Sequence, residues 1–343
     1  MIYSQSPKLD FNDVLILPNL SPLQSRAEVN LYSEKLKKRL NIDTCGIIAA
    51  NMDGVGTFEV SRALSKHGCM TALSKHLAVN DLIDYFNDDH SSKYAFYTLG
   101  KSEEDLSKFK QFVSRYENLN VLKVCLDVAN GYMTDLSEYI NKLYAIKNNI
   151  ILMSGNVVDN VGISNLGKSD IIKMGIGPGA NCLTREVTGI GYPQFSCIYD
   201  SVKVNNTKKI ICSDGGCTSS GDIVKAFAAG ANMVMLGSML AGTDQGGGEV
   251  IDGSYVKFYG MSSKTAQQKH GNGIKNYRAS EGRTTMVPYK GDIGPIIEEL
   301  LGGIRSACTY VGASHIDELT ERATFIQVNS TLNRSMEKYT VGN

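Results

Sequence analysis

Eight short apolar runs, rich in β-branched residues and each ending at or beside Gly, Asn, Asp or Ser, recur along the chain: Cys45–Met52, Cys69–Leu73, Tyr94–Leu99, Val121–Ala129, Ile150–Gly155, Ile171–Gly177, Lys209–Asp214 and Asn232–Gly237. Near-continuous hydrophobicity is what a strand buried on both faces requires, and the intervals mostly carry the 3.6-residue period of helices. In Ser219–Gly230, for example, Ser219 or Ser220 can cap, Ile223, Val224 and Phe227 share a face, and Gly230 can end the helix. Strict alternation gives a parallel sheet, and eight units close it, so the expected fold is α/β: a single (β/α)8 TIM barrel. A length of 343 residues also suits two ordinary domains. No Pro-rich, Ser-rich or low-complexity linker supports that division, and residues 1–343 read as one catalytic domain.

The segment up to about Thr44 precedes the first strand and is expected to plug or flank the barrel base, while the polar residues 329–343 read as a frayed tail. Asn160, Gly162, Asn165 and Gly167 weaken the fifth helix. Two intervals are too long for simple connections, Gly177–Lys208 and Leu240–Pro295. Long loops in compact domains are usually functional, and barrel enzymes place chemistry at the C-terminal ends of their strands, so both are active-site candidates.

The 35 basic and 35 acidic side chains cancel, which removes the electrostatic footprint of nucleic-acid or anionic-membrane binding. An anionic ligand must therefore be held locally. The eight cysteines form no C-x-x-C pair and the five histidines lie at no zinc-ligand spacing from them, so neither a disulfide scaffold nor a zinc site is expected. No apolar run reaches the roughly 18 residues of a membrane span. Met1–Asp10 lacks the basic start and apolar core of a signal peptide, and the expectation is a cytoplasmic protein with reduced thiols.

Barrels commonly bind phosphate with the loops after strands seven and eight. Those loops read S-D-G-G (Ser213–Gly216) and G-S (Gly237, Ser238). Taken singly such glycines do no more than end strands, but two loops at the two expected positions point to a phosphate site, with Asp214 available to a ribose diol. Cys182 follows the sixth strand in G-I-G-P-G-A-N-C-L-T-R (Gly175–Arg185), at the barrel mouth, where a thiol can attack an electron-poor carbon. Thr184 lies two residues on, and Glu281 lies in the second long loop within Y-R-A-S-E-G (Tyr277–Gly282); a hydroxyl and a carboxylate relay a proton if the fold joins them.

These motifs, with F-Y-G-M-S-S, V-P-Y-K-G-D, K-L-D-F-N-D-V-L, A-A-N-M-D and C-L-D-V-A-N-G, resemble the purine-nucleotide family of inosine-monophosphate dehydrogenase and guanosine-monophosphate reductase over about Lys8 to Val328. Three features resemble the reductase branch: no regulatory insertion after the second strand, where Leu73 passes through Lys75 and His76 into a short polar helix; a short flap, Ser263–Met286; and I-R-S-A-C-T-Y-V-G-A at Ile304–Ala313. The resemblance implies NADPH-dependent conversion of GMP to IMP and ammonia through a thioimidate between Cys182 and purine C2, with Thr184 and Glu281 managing protons.

The same resemblance implies a nucleotide held by Asp214, Gly215, Gly216, Gly237, Ser238, Gly260, Met261, Ser262, Arg278, Ala279, Ser280 and Gly282. It implies a cofactor touching Ser25, Arg26, Lys75, Asp127, Val128, Ala129, Ile176 and Gly177, with Ser306, Ala307, Cys308 and Thr309 contributed by a neighbouring subunit of a homotetramer. It also implies a monovalent cation such as potassium on the carbonyls of Gly177, Gly179, Cys182 and Arg185. Ala180 stands where the family usually has serine and Leu183 where it has threonine, while Ser238 resembles the dehydrogenase. The alternatives are IMP oxidation to XMP with NAD, an FMN-dependent barrel oxidoreductase using the same phosphate loops, and a silent nucleotide sensor.

Overall fold

The computed structural model describes residues 6–118, 121–204, 209–271 and 279–328. All eight expected strands form and close a parallel barrel in chain order: β1 Ile47–Ala49, β2 Met70–Ala72, β3 Ala95–Leu99, β4 Leu122–Asp127, β5 Ile150–Val157, β6 Ile171–Met174, β7 Ile210–Asp214 and β8 Met233–Leu236, which pairs back onto β1. A helix follows each strand: α1 Phe58–Ser65, α2 Val79–Asp88, α3 Glu103–Ser114, α4 Leu136–Ile146, α5 Asn160–Asn165, α6 Gln194–Val204, α7 Ser220–Ala228 and α8 Ile293–Val311.

Most of the paired strands are shorter than the apolar runs that announce them. Cys45 and Ala50 are buried like the strand between them, yet Gly46 turns at φ +85° and Met52 bonds back to Ala50, so burial outlasts the ladder at both ends. The fifth helix survives as six residues because the Asp159 carboxylate caps it by accepting from Gly162 N–H. Helix α7 follows its sequence signals: Ser219 accepts from Asp222 N–H, Ile223, Val224 and Phe227 are buried, and Gly230 beyond its end takes φ +109°. Each such side chain contributes roughly 1.5–3 kcal/mol on full burial.

Ahead of the barrel, helix Glu34–Leu40 lies across the strand beginnings, where Lys35 donates to Asn232 and Arg39 pairs with Asp170. Farther up, strand Val14–Ile16 pairs antiparallel with Phe325–Gln327, and Asp10 ties this segment to the mouth by taking Arg185 Nη1 at 3.0 Å and Gln194 N–H at 2.6 Å. The described residues of the long interval between β8 and α8 are structured. They hold an antiparallel sheet of Val250–Ile251, Tyr255–Tyr259 and Thr284–Pro288 and the helix Lys264–His270, which together form a flap beside the strand ends. Among the described residues no helix is long and apolar enough to cross a membrane. The tail 329–343 lies outside the described residues.

Candidate active site

The loops at the C-terminal ends of the strands and the flap enclose one cavity of about 530 Å³. At its centre Cys182 Sγ donates to Thr184 Oγ1 at 3.2 Å, and Thr184 Oγ1 donates to Glu281 Oε2 at 2.8 Å. Glu281 is 97 residues from Thr184 in sequence and reaches it because the flap's returning strand is stitched to the Cys182 loop: Leu183 N–H donates to Glu281 O at 2.7 Å and Arg283 N–H to Asn181 O at 3.0 Å. Cys182 is half-buried, whereas the other seven cysteines are buried. Burial pushes the thiols of Cys125, Cys197, Cys212 and Cys217 up, which leaves them protonated and inert.

The two glycine loops flank this centre. Gly215 and Gly216 adopt φ +87° and +86°, open to glycine and strained for other residues, and a Cβ there would press on Pro178 or Gln194. Gly237 and Ser238, after β8, line the same cavity, as do Gly260, Met261, Ser262 and Gly282 from the flap. Ser280 points back into the flap and donates to Gly282 O at 2.9 Å; Ala279 is exposed and does not line the cavity; Arg278 lies outside the described residues. Asp214 has less freedom than the sequence suggests, because its Oδ2 is already held by Lys173 Nζ at 2.5 Å and Asn156 Nδ2 at 2.9 Å.

Lys75, Asp127, Val128, Ala129, Ile176 and Gly177 line the other half of the cavity. Ser25 and Arg26 do not. They are exposed on a one-turn segment, Arg26–Glu28, that packs against α8, the helix carrying Ser306–Thr309. Both groups lie outside the cavity lining. Cys308 is 0% exposed, while Ser306, Ala307 and Thr309 are half-buried.

Two polar centres were not read from the sequence. Lys173, on β6 and with its side chain only 4% exposed, bridges Asp127 Oδ1 at 2.7 Å and Asp214 Oδ2 at 2.5 Å. Gly155 lies between Asp127 and Lys173 in register and offers no side chain, which lets the ammonium cross. Burial alone would depress Lys173, but the two carboxylates outweigh it and hold it well above the usual lysine range. Its placement inside an apolar run hides it from periodicity; a lone charge in a continuous buried strand is the signal that marks it.

The second centre joins barrel to flap. The rings of His76 and His270 stack at 3.6 Å and 6°, and both residues line the cavity. Although His76 is exposed on the cavity side, loss of water where its ring lies on His270, then the charges of His270 and Lys75, push it down from 6.5 to about 4. Its folded value lies below the unfolded one, so the folded chain binds fewer protons; stability is fully present above pH 6.5 and falls as pH drops towards about 4. The melting temperature of His76→Asn is therefore expected to fall less than that of the wild type between pH 7 and pH 4.

The polar lining also meets the demands of a ligand. Among the described residues Asn156 Oδ1 and Asn181 Nδ2 find no hydrogen-bond partner although buried, and both residues line the cavity. Comparison with known proteins gives the family. The family model described as IMP dehydrogenase / GMP reductase domain matches residues 8–337. The chain belongs to the IMP dehydrogenase/GMP reductase family. Among its relatives, GMP reductase of Vibrio vulnificus is 46% identical over 96% of this chain and 97% of its own length. GMP reductase of Photobacterium profundum is 46% identical over 97% and 98%, and that of Aliivibrio fischeri is 44% identical over 98% and 100%. This family member is an oxidoreductase enzyme, and the family implies a nicotinamide cofactor.

Proposed function

We propose that the protein is a GMP reductase, converting GMP to IMP and ammonia with NADPH. The observation that carries the reading is the chain of hydrogen bonds Cys182–Thr184–Glu281 in a cavity bounded by two glycine loops. The purine ring lies over Cys182, with its phosphate on Gly215, Gly216, Gly237 and Ser238, and with Gly260, Met261, Ser262 and Gly282 closing on it from the flap. Asp214, pinned through one oxygen, turns the other to the ribose.

Cys182 Sγ adds to C2, which is electron-poor between two ring nitrogens, and its proton passes to Thr184 Oγ1 as Thr184 gives its own to Glu281. The relay returns a proton to the exocyclic amine, the C2–N bond breaks, and ammonia leaves a thioimidate. NADPH, when bound, supplies the hydride that C2 takes as the C–S bond breaks and thiolate departs. Lys75, Asp127, Val128, Ala129, Ile176 and Gly177 would hold its nicotinamide end, and the lone Oδ1 of Asn156 fits a group donated there.

Ser25 and Arg26, and Ser306, Ala307, Cys308 and Thr309 on α8, would serve the adenosine end of a cofactor, the latter four for a cofactor bound mainly to a neighbouring subunit, as a homotetramer permits. A potassium ion on the carbonyls of Gly177, Gly179, Cys182 and Arg185 would brace the loop. That loop is tightly wound: a Cβ on Gly177 would lie 2.5 Å from Arg185 Cγ, and Cys182 N–H closes onto Gly179 O at 2.9 Å. Eight free thiols suit a reducing, cytoplasmic compartment.

The test is absorbance of NADPH with GMP, ammonia being assayed in parallel. One ammonia per NADPH oxidised is the expected result. Turnover of IMP with NAD and none of GMP would overturn the reading in favour of the dehydrogenase.

A further inference from the structure

Asp53, in the loop after β1, is the meeting point of the flap and the barrel. From the flap, Tyr259 donates its hydroxyl to Asp53 Oδ2 at 2.7 Å, His270 Nε2 lies 2.5 Å from the same oxygen, and Lys269 Nζ stands at 3.3 Å. From the barrel, Ser74 donates to Oδ1 at 3.2 Å, and His76 lays its ring on that of His270. Three side chains from a strand and a helix of one segment thus converge on one carboxylate of another. Burial would raise Asp53, but His270, Tyr259 and Lys269 outweigh it and hold it at about 2, so it stays an anion throughout the neutral range.

The placement gives this contact a role beyond packing. The flap meets the barrel mouth on two sides: at its returning strand, where Arg283 and Leu183 join it to the Cys182 loop, and at Asp53, where its outgoing strand and helix end. Glu281 stands at the returning attachment, where its own carbonyl accepts from Leu183 N–H, and follows the Asp53 contacts in the chain. We propose that Asp53 is a positioning residue for Glu281, anchoring the outgoing half of the flap so that the carboxylate stays on Thr184. This rests on the reading of Glu281 as the proton acceptor of the reaction. Misplacement of a reacting group by about 1 Å costs on the order of 100-fold in rate, so a remote anchor of this kind has kinetic weight.

The experiment compares wild type, Asp53→Ala, Asp53→Asn, Tyr259→Phe, His270→Ala and the double variant Asp53→Ala/His270→Ala, all as full-length chains. Expected for Asp53→Ala is a drop of about 10- to 100-fold in kcat with the melting temperature close to wild type. Asp53→Asn keeps an acceptor for Tyr259 and recovers part of the loss. The double variant is expected to be no worse than about threefold below the poorer single variant, because both changes break one contact. Hydrogen exchange, read without substrate, is expected to rise in residues 255–271 of Asp53→Ala and stay unchanged in the barrel strands. Unchanged exchange in both Asp53→Ala and Tyr259→Phe would overturn the anchor whatever reaction the enzyme runs. Increased exchange with unaltered kcat would overturn the link to Glu281, and fully additive losses would show that Asp53 and His270 act separately. If Asp53→Ala does not fold, Tyr259→Phe decides, since it removes the flap's hydroxyl and leaves the barrel loop intact. An absence of GMP turnover in the wild type with the exchange result as expected would refute the proposed reaction and retain the anchor.

Discussion

Replacing Cys182 by alanine is expected to lower GMP turnover by on the order of 10⁴-fold or more, because covalent addition at C2 has no other nucleophile to use. The remaining seven thiols are buried, and none can substitute. Nucleotide affinity is expected to stay within about threefold, since the glycine loops after β7 and β8 are untouched and Cys182 Sγ makes its side-chain hydrogen bond to Thr184. Thr184→Val, which breaks the path from Cys182 to Glu281, is expected to cost about 10²–10⁴-fold, the range of general acid–base contributions. Steady-state rates together with equilibrium binding of GMP check both. A Cys182→Ala enzyme that retains a tenth of the activity would remove the thioimidate from the mechanism.

The second large effect is structural. Lys173→Met leaves Asp127 and Asp214 facing one another without the ammonium that joins them; their side chains are 30% and 20% open to the cavity, so the cost is about 1–3 kcal/mol, below that of a fully buried ion group. A fall of that size is expected in unfolding free energy from denaturant titration. Neutralising both neighbours in Lys173→Met/Asp127→Asn/Asp214→Asn is expected to restore part of it, because the penalty lies in the stranded charges and not in the lost volume. The pH dependence follows from Asp127. Burial would raise it, but Lys173 and Asn51 outweigh burial and hold its carboxyl below the ordinary value of 3.8. Its share of the stability is therefore fully present above pH 3.8 and is lost as pH falls through the depressed folded value. A Lys173→Met chain as stable as wild type would mean that water reaches the carboxylates freely.

The barrel was legible from one-dimensional pattern because each unit carries its own instructions. A run such as Asn232–Gly237 is apolar from Met233 to Leu236 and stops at a glycine, and Ser219 caps the helix after Gly216, with no long-range information needed. The same holds for the glycine loops and for Cys182, whose positions at strand ends follow from the fold once the strands are counted. Even the family resemblance rests on such local strings, for example the loop Gly175–Arg185.

Local strings do not fix what meets what. Thr184 and Glu281 are 97 residues apart and become a pair only when the flap strand is laid on the Cys182 loop. Lys173, Asp127 and Asp214 lie on three strands, and only the side-by-side pairing of β4 to β7, with Gly155 leaving room between two of them, turns three isolated charges into one ion group. Asp53 and His270 are 217 residues apart, and their contact depends on how the flap packs, which no periodicity encodes. Hydrophobic pattern and capping act over a few residues and specify the barrel. Ion pairs and proton paths act through space across loops, so the site's chemistry emerges only from the packed chain.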